Sequence, residues 1–274
     1  MRHESYDANA RATDAWPAGF ASAADALFVP GSFEDCRGTR LPYRLMTPST
    51  ATVGERSPLV VLLHGSGAIG DDNTAQIGPV ARAWAEPAVR ARFGGYVLAP
   101  QVATRSADYH AGCDGLPASA PGDSLAAVLA LIDDVVARYP IDPDRIYLVG
   151  FSMGASAALD ALVERPRGFA AVVAFAPVPP DRHFAARVAA VPMLLVHGSA
   201  DAENPYAADR AWARAVAQAG GRPRFVVIDG MAHEFPRQML RRADWREWLF
   251  AQRAAHTMGA VAPAQTSAGA CPAK

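Results

Sequence analysis

Six short apolar runs recur along the chain: PLVVLLHG, YVLAP, RIYLVG, FAAVVAF, PMLLVHG and RFVVIDG. Each is continuously apolar rather than alternating, the pattern of a strand covered on both faces. Between them lie stretches with apolar residues at helical spacing: TAQIGPVARAWAEPAVRAR, SLAAVLALIDDVVARY, MGASAALDALVERP, PYAADRAWARAVAQAG and RQMLRRADWREWLFAQR. Ahead of the first run, LFVPGSFEDC and LPYRLMTP mix strand formers with turn formers and predict an antiparallel pair. The alternation predicts one α/β domain over residues 27–254, a mostly parallel central sheet with helices on both faces. Residues 1–26 show no clear periodicity and are expected to be loose. Residues 255–274 lose charge and large apolar side chains, and are expected to be a disordered tail. The connection over 101–123, QVATRSADYHAGCDGLPASAPGD, far exceeds the roughly 2 to 6 residues usual between a strand and a helix.

Composition narrows the class of partner. With 274 residues, 51% of them hydrophobic, the chain can bury a large core. Its 26 basic and 27 acidic residues are intermixed and nearly cancel, which offers no field for nucleic acid and no polybasic patch for a membrane. No apolar run approaches the roughly 18 to 20 residues of a membrane span, and the opening MRHESYDANARATDAW has no continuous apolar core of a signal peptide. These features predict a cytoplasmic protein acting on a small molecule; oligomeric state is not legible. Cys36, Cys113 and Cys271 are too few and too widely spaced for a disulfide framework or a zinc site. Free thiols are expected, with a Cys36–Cys113 bridge as the alternative.

In a parallel sheet, chemistry belongs at the carboxyl ends of the strands, where loops converge and helix N-termini point. At that end of RIYLVG stands GFSMG, with Ser152 between two glycines. Chance would give thirteen serines this spacing about 0.08 times at the observed glycine frequency. Position, strand before and helix after, makes it a nucleophile elbow, in which residues at −2 and +2 approach too closely for side chains.

A serine hydroxyl needs a base, and the base needs an orienting acid. Of seven histidines, His233 in DGMAHEFP follows the last predicted strand and can reach across the sheet edge, while His110 in the long connection remains open. The acid is expected after the preceding strand, in HGSADAENP, at Asp201, with Glu203 as the second choice. Two backbone N–H groups should receive the developing oxyanion. One is that of Met153; the other comes from the turn HGSG, at Ser66 first and Gly67 second. A phosphate-binding loop is excluded there by the missing lysine and the wrong glycine spacing. Tyr109 and His110, on the long connection, are the expected substrate-contacting pair.

With HGSG, GFSMG, HGSAD and AHEF in that order, residues 40–252 resemble the α/β-hydrolase superfamily. The stretches PLVVLLHGSGAIGDDN, YVLAPQ and DRIYLVGFSMGASAAL look like serine esterases of the carboxylesterase, polyhydroxyalkanoate depolymerase and feruloyl esterase group. The resemblance implies the α/β-hydrolase fold, an acyl-enzyme mechanism through Ser152, Asp201 and His233 on a small ester, and neither metal nor organic cofactor. A serine peptidase for small amides and a non-catalytic binding module are the alternative expectations.

Overall fold

The computed structural model describes residues 2–7, 16–50 and 54–254. Eleven strands are present among them: β1 (Arg2–Asp7), β2 (Val29–Glu34), β3 (Arg40–Met46), β4 (Ser57–Leu63), β5 (Tyr96–Pro100), β6 (Ala107–Ala111), β7 (Pro117–Pro121), β8 (Ile141–Phe151), β9 (Ala171–Phe175), β10 (Met193–Gly198) and β11 (Arg224–Asp229). The helices are α1 (Phe20–Ala26), α2 (Pro79–Trp84), α3 (Pro87–Arg92), α4 (Leu125–Arg138), α5 (Met153–Glu164), α6 (Ala185–Val188), α7 (Tyr206–Gln218) and α8 (Asp244–Phe250).

Nine strands form one sheet in the order β1-β11-β10-β9-β8-β4-β5-β3-β2. Neighbours are parallel from β1 through β5, and β3 runs against both β5 and β2. The continuous apolar runs follow directly from two covered faces. Along β4, Leu59, Val61 and Leu63 join a core with α4, α5 and α7, whereas Val60 and Leu62 join a second core with α1, α2 and α8. Each such side chain contributes about 1.5–3 kcal/mol by leaving water, so a polar residue on either face would be costly. Trp84 centres the second core, with Phe250 stacked 5.9 Å away and Trp245 edge-on at 5.7 Å.

Four features depart from the sequence expectations. Residues 2–7 form a strand that extends the sheet beyond β11, and Phe20–Ala26 form a helix, both within the segment expected to be loose. The strand RHESYD has no apolar pattern to announce it; the open edge of β11 supplies its hydrogen-bonding partner. The stretch around residues 79–92 breaks into two helices because Pro79 and Pro87, lacking an N–H, each sit in a first turn. The long connection 101–123 carries an antiparallel hairpin of β6 and β7, with Tyr109 opposite Ser119. The predicted tail, 255–274, lies outside the described residues.

Candidate active site

The turn between β8 and α5 forces Ser152 into φ 54°, ψ −123°, a backbone region that side chains rarely adopt. Close packing demands the flanking glycines. A Cβ on Gly150 would lie 2.3 Å from the carbonyl oxygen of Gly154, and one on Gly154 would lie 2.1 Å from that of Leu63. Ser152 is held by its N–H, which donates to the Phe175 carbonyl at 2.8 Å, and it remains 8% exposed at the top of the sheet. It opens α5, so the Met153 N–H has no intrahelical acceptor and faces the positive end of the helix dipole.

Two loops complete the arrangement. Gly198, at the end of β10, packs where a Cβ would be 2.2 Å from the Met231 carbonyl, and Ala200 N–H donates to that same carbonyl at 3.0 Å. This contact brings Asp201 and His233 side by side. The Ser152 hydroxyl lies 2.8 Å from His233 Nε2, and His233 Nδ1 lies 2.7 Å from Asp201 Oδ2. The other carboxylate oxygen, Oδ1, accepts the backbone N–H groups of Glu203 and Asn204 at 3.0 and 2.8 Å. Burial acts to raise the Asp201 carboxyl, but hydrogen bonds from His197 and His233 and from the Asn204 N–H outweigh it and hold the group down at about 2. Glu203 is a poorer partner: its side chain is 76% exposed and its Oε2 stands 4.0 Å from His233 Nε2. The Phe151 ring stacks on the His233 imidazole with centroids 5.3 Å apart.

The HGSG turn lies beside this array. A Cβ on Gly65 would meet the Phe151 ring at 3.3 Å and the Ser152 Cβ at 3.6 Å. His64 braces the turn: its Nδ1–H donates to the Gly65 carbonyl at 2.8 Å and its Nε2 accepts the Val102 N–H at 3.1 Å. Burial lowers its pKa, in keeping with a neutral ring. Ser66 opens a 3₁₀ turn, Ser66–Ala68, so its N–H begins a helix without an acceptor of its own, as Met153 does on α5.

Tyr109 and His110, adjacent on β6, have different surroundings. Successive residues of a strand point to opposite faces, and the Tyr109 hydroxyl reaches the Ser156 hydroxyl on α5, at 3.2 Å, while His110 is exposed on the other face of the hairpin. A cavity of about 300 Å³ lies elsewhere, against the HGSG turn and α2, walled by Gly65, Ala68, Gln76, Phe151 and Phe235 among others. No residue of 101–123 lines it. The lining includes the stretch 75–81, with its small residues Ala75, Gly78 and Ala81, which in the sequence shows only as part of a helical pattern. Cys113 has a free thiol that donates to Asp181 at 3.2 Å, which removes the Cys36–Cys113 bridge. Among the described residues no group of three or more histidine, cysteine or acidic side chains is arranged to hold a metal ion, and no helix is long and apolar enough to cross a membrane.

A mostly parallel sheet carrying a strained serine between β8 and α5, with Asp and His on the loops after β10 and β11, is the α/β-hydrolase fold. Comparison with known proteins leads to the same class. The phospholipase/carboxylesterase family model matches residues 122–245. A protein of Nocardia uniformis subsp. tsuyamanensis that carries the name esterase NocK is 27% identical over 173 residues, 62% of this chain and 47% of its own length. The chain thus spans about half of that relative. The crystal structure of a thermostable esterase superposes with a TM-score of 0.74 at 27% identity, covering 84% of this chain and 64% of the other. An acylaminoacyl peptidase of Pyrococcus horikoshii shares the fold at 16% identity, with a TM-score of 0.62 over 86% of this chain and 43% of its own.

Proposed function

We propose that the protein is a serine hydrolase of carboxylic esters, working through an acyl-enzyme. The observation that carries this reading is the unbroken chain from Ser152 Oγ to His233 Nε2, 2.8 Å, and from His233 Nδ1 to Asp201 Oδ2, 2.7 Å. In this reading Ser152 Oγ attacks the ester carbonyl carbon while His233 Nε2 takes its proton. Asp201 keeps the imidazole in the Nδ1–H tautomer and stabilises the cation that forms. The N–H groups of Met153 and Ser66 receive the oxyanion, each worth about 3 kcal/mol in such sites. Collapse returns the proton from His233 to the departing alcohol. Water, deprotonated by the same imidazole, then releases the acid and restores Ser152.

The apolar cavity beside Gly65 and Phe151 suits a small-molecule ester with one hydrocarbon-rich side. Activity on small amides is the second reading, favoured only by the peptidases that share the fold. A fluorophosphonate probe and a panel of nitrophenyl esters and nitroanilides test both. Wild-type protein should be labelled at Ser152 and should turn over esters in preference to anilides. Ser152→Ala should abolish labelling and lower ester turnover by about 10⁴ to 10⁶. Turnover that survives this change would remove Ser152 as the nucleophile.

A further inference from the structure

Behind Asp201 lies a second histidine that the mechanism above does not use. His197, on β10, is fully buried. Its Nε2 faces two oxygens, the Asn204 carbonyl at 2.8 Å and Asp201 Oδ2 at 3.3 Å. Since both can only accept, Nε2 carries a hydrogen. Its Nδ1 lies 3.0 Å from Oδ2 of Asp209, a completely buried carboxyl on α7 whose Oδ1 has no partner. One proton is shared across that contact, and on either atom it leaves the His197–Asp209 pair neutral overall and Nε2–H directed at Asp201. Burial opposes a charge on His197, but hydrogen bonds to Asp201 and Asp209 prevail and raise it to about 9.

We propose that His197, oriented by Asp209, is a positioning residue for the Ser152–His233–Asp201 chain. It donates to the same carboxylate oxygen that receives His233, fixing that oxygen in place and weakening it as a base. The inference rests on the reading of Ser152 as nucleophile. Asp201 Oδ2 then has two donors, and its Oδ1 is saturated by the Glu203 and Asn204 N–H groups, so the carboxylate has one orientation. Without His197, Oδ2 would keep His233 as its one side-chain donor, and the carboxylate would hold the His233 cation more strongly.

The groups that bear on this are few. Around His197 stand Asp209 and the Tyr206 ring from α7, and Asp201 and the Asn204 carbonyl from the loop after β10. Around His233 stand Ser152, Asp201, Glu203 and the Phe151 ring.

The test compares His197→Leu, His197→Gln and Asp209→Asn by thermal unfolding and by pH profiles of kcat and kcat/KM on a nitrophenyl ester. Glu203→Gln serves as control for the exposed carboxylate, and fluorophosphonate labelling of wild type and Ser152→Ala tests the underlying reading. His197→Leu should lose about 10²-fold in kcat, the scale of a small misplacement of reacting groups, with little change in KM. Its acid limb in kcat/KM should move to higher pH. His197→Gln, whose amide N–H can reach the Nε2 position, should recover most of the turnover. Asp209→Asn keeps Nε2–H but leaves His197 neutral, so the acid limb should rise less and kcat should stay near wild type. A folded His197→Leu with wild-type kcat and acid limb overturns the proposal. If that variant does not fold, an Asp209→Asn profile superimposable on wild type overturns it. Loss of stability with an unmoved acid limb reduces His197 to a packing residue. Labelling that persists in Ser152→Ala removes the nucleophile reading and this inference with it, a failure separate from the others.

Discussion

At Gly154 the carbonyl of Leu63 leaves no room for a methyl group, so the residue is set by the distance between α5 and the end of β4. Gly154→Ala should therefore displace the elbow, costing about 1–3 kcal/mol as overpacking does and lowering turnover with it. Thermal unfolding with ester assays will show both losses together; an intact, fully active variant would mean the turn is more pliable than its contacts imply. Asp201 and Glu203 are two residues apart but differ in burial and reach. Asp201→Asn should fold and lose turnover heavily, by about 10⁴ in the comparable case of another triad enzyme, because the amide favours the wrong imidazole tautomer. Glu203→Gln should change turnover little, and the opposite ranking in measured kcat would reassign the acid. Both residues are candidates in the sequence, Asp201 the first for its place nearer the strand. Burial, which separates them decisively, is a property of the folded loops.

Among the elements packed against α5 is the β6–β7 hairpin. Ser119 on β7 donates to Asp160 Oδ1 at 2.9 Å, and Ser119 N–H donates to the Pro179 carbonyl at 2.8 Å, so the hairpin is clamped between α5 and the segment after β9. Asp160 is 1% exposed, and its Oδ2 has no hydrogen-bond partner. Burial, with Glu164 and Asp108 adding to it and the Ser119 bond opposing, raises its pKa to about 7. The folded state thus binds a proton that the unfolded chain releases near pH 4. This contribution to stability is complete below about pH 4, declines as pH rises to about 7, and is gone above it, on the order of 4 kcal/mol in all. Asp160→Asn should flatten that decline and raise the melting temperature at pH 8.5 relative to wild type. Parallel melting curves for the two proteins between pH 5 and pH 8.5 would show that the carboxyl is solvated. In the sequence the hairpin shows only as a long connection, because its strands, ADYHA and PASAP, are short and nearly without large apolar residues. Their pairing rests on α5 and the Pro179–Pro180 segment rather than on local pattern.

Across the whole molecule, the cavity joins parts that are far apart in the chain: the HGSG turn, α2, Phe151 and Phe235. Filling it should change specificity without touching the proposed nucleophile. Ala68→Phe should keep the hydrolysis of acetate esters and fluorophosphonate labelling, while the relative kcat/KM for bulkier esters shifts by about 10- to 200-fold, the range of pocket contacts. An unchanged ranking over the ester panel would show that substrate lies elsewhere, with the Tyr109 face of the hairpin next in line. The alternation of central strands and helices, and the candidates Ser152, Asp201 and His233, are legible in the sequence alone. Each is a local demand: an apolar run long enough for a doubly covered strand, glycines where backbones collide, or a polar residue just past a strand end. Tertiary structure decided the rest. It paired residues 2–7 with β11, turned Tyr109 and His110 to opposite faces, opened a cavity beside α2, and set His197 behind Asp201. These depend on which surfaces meet, and the contacts that decide them join residues as distant as Arg2 and Arg224, opposite each other in the sheet, whose approach no local pattern encodes.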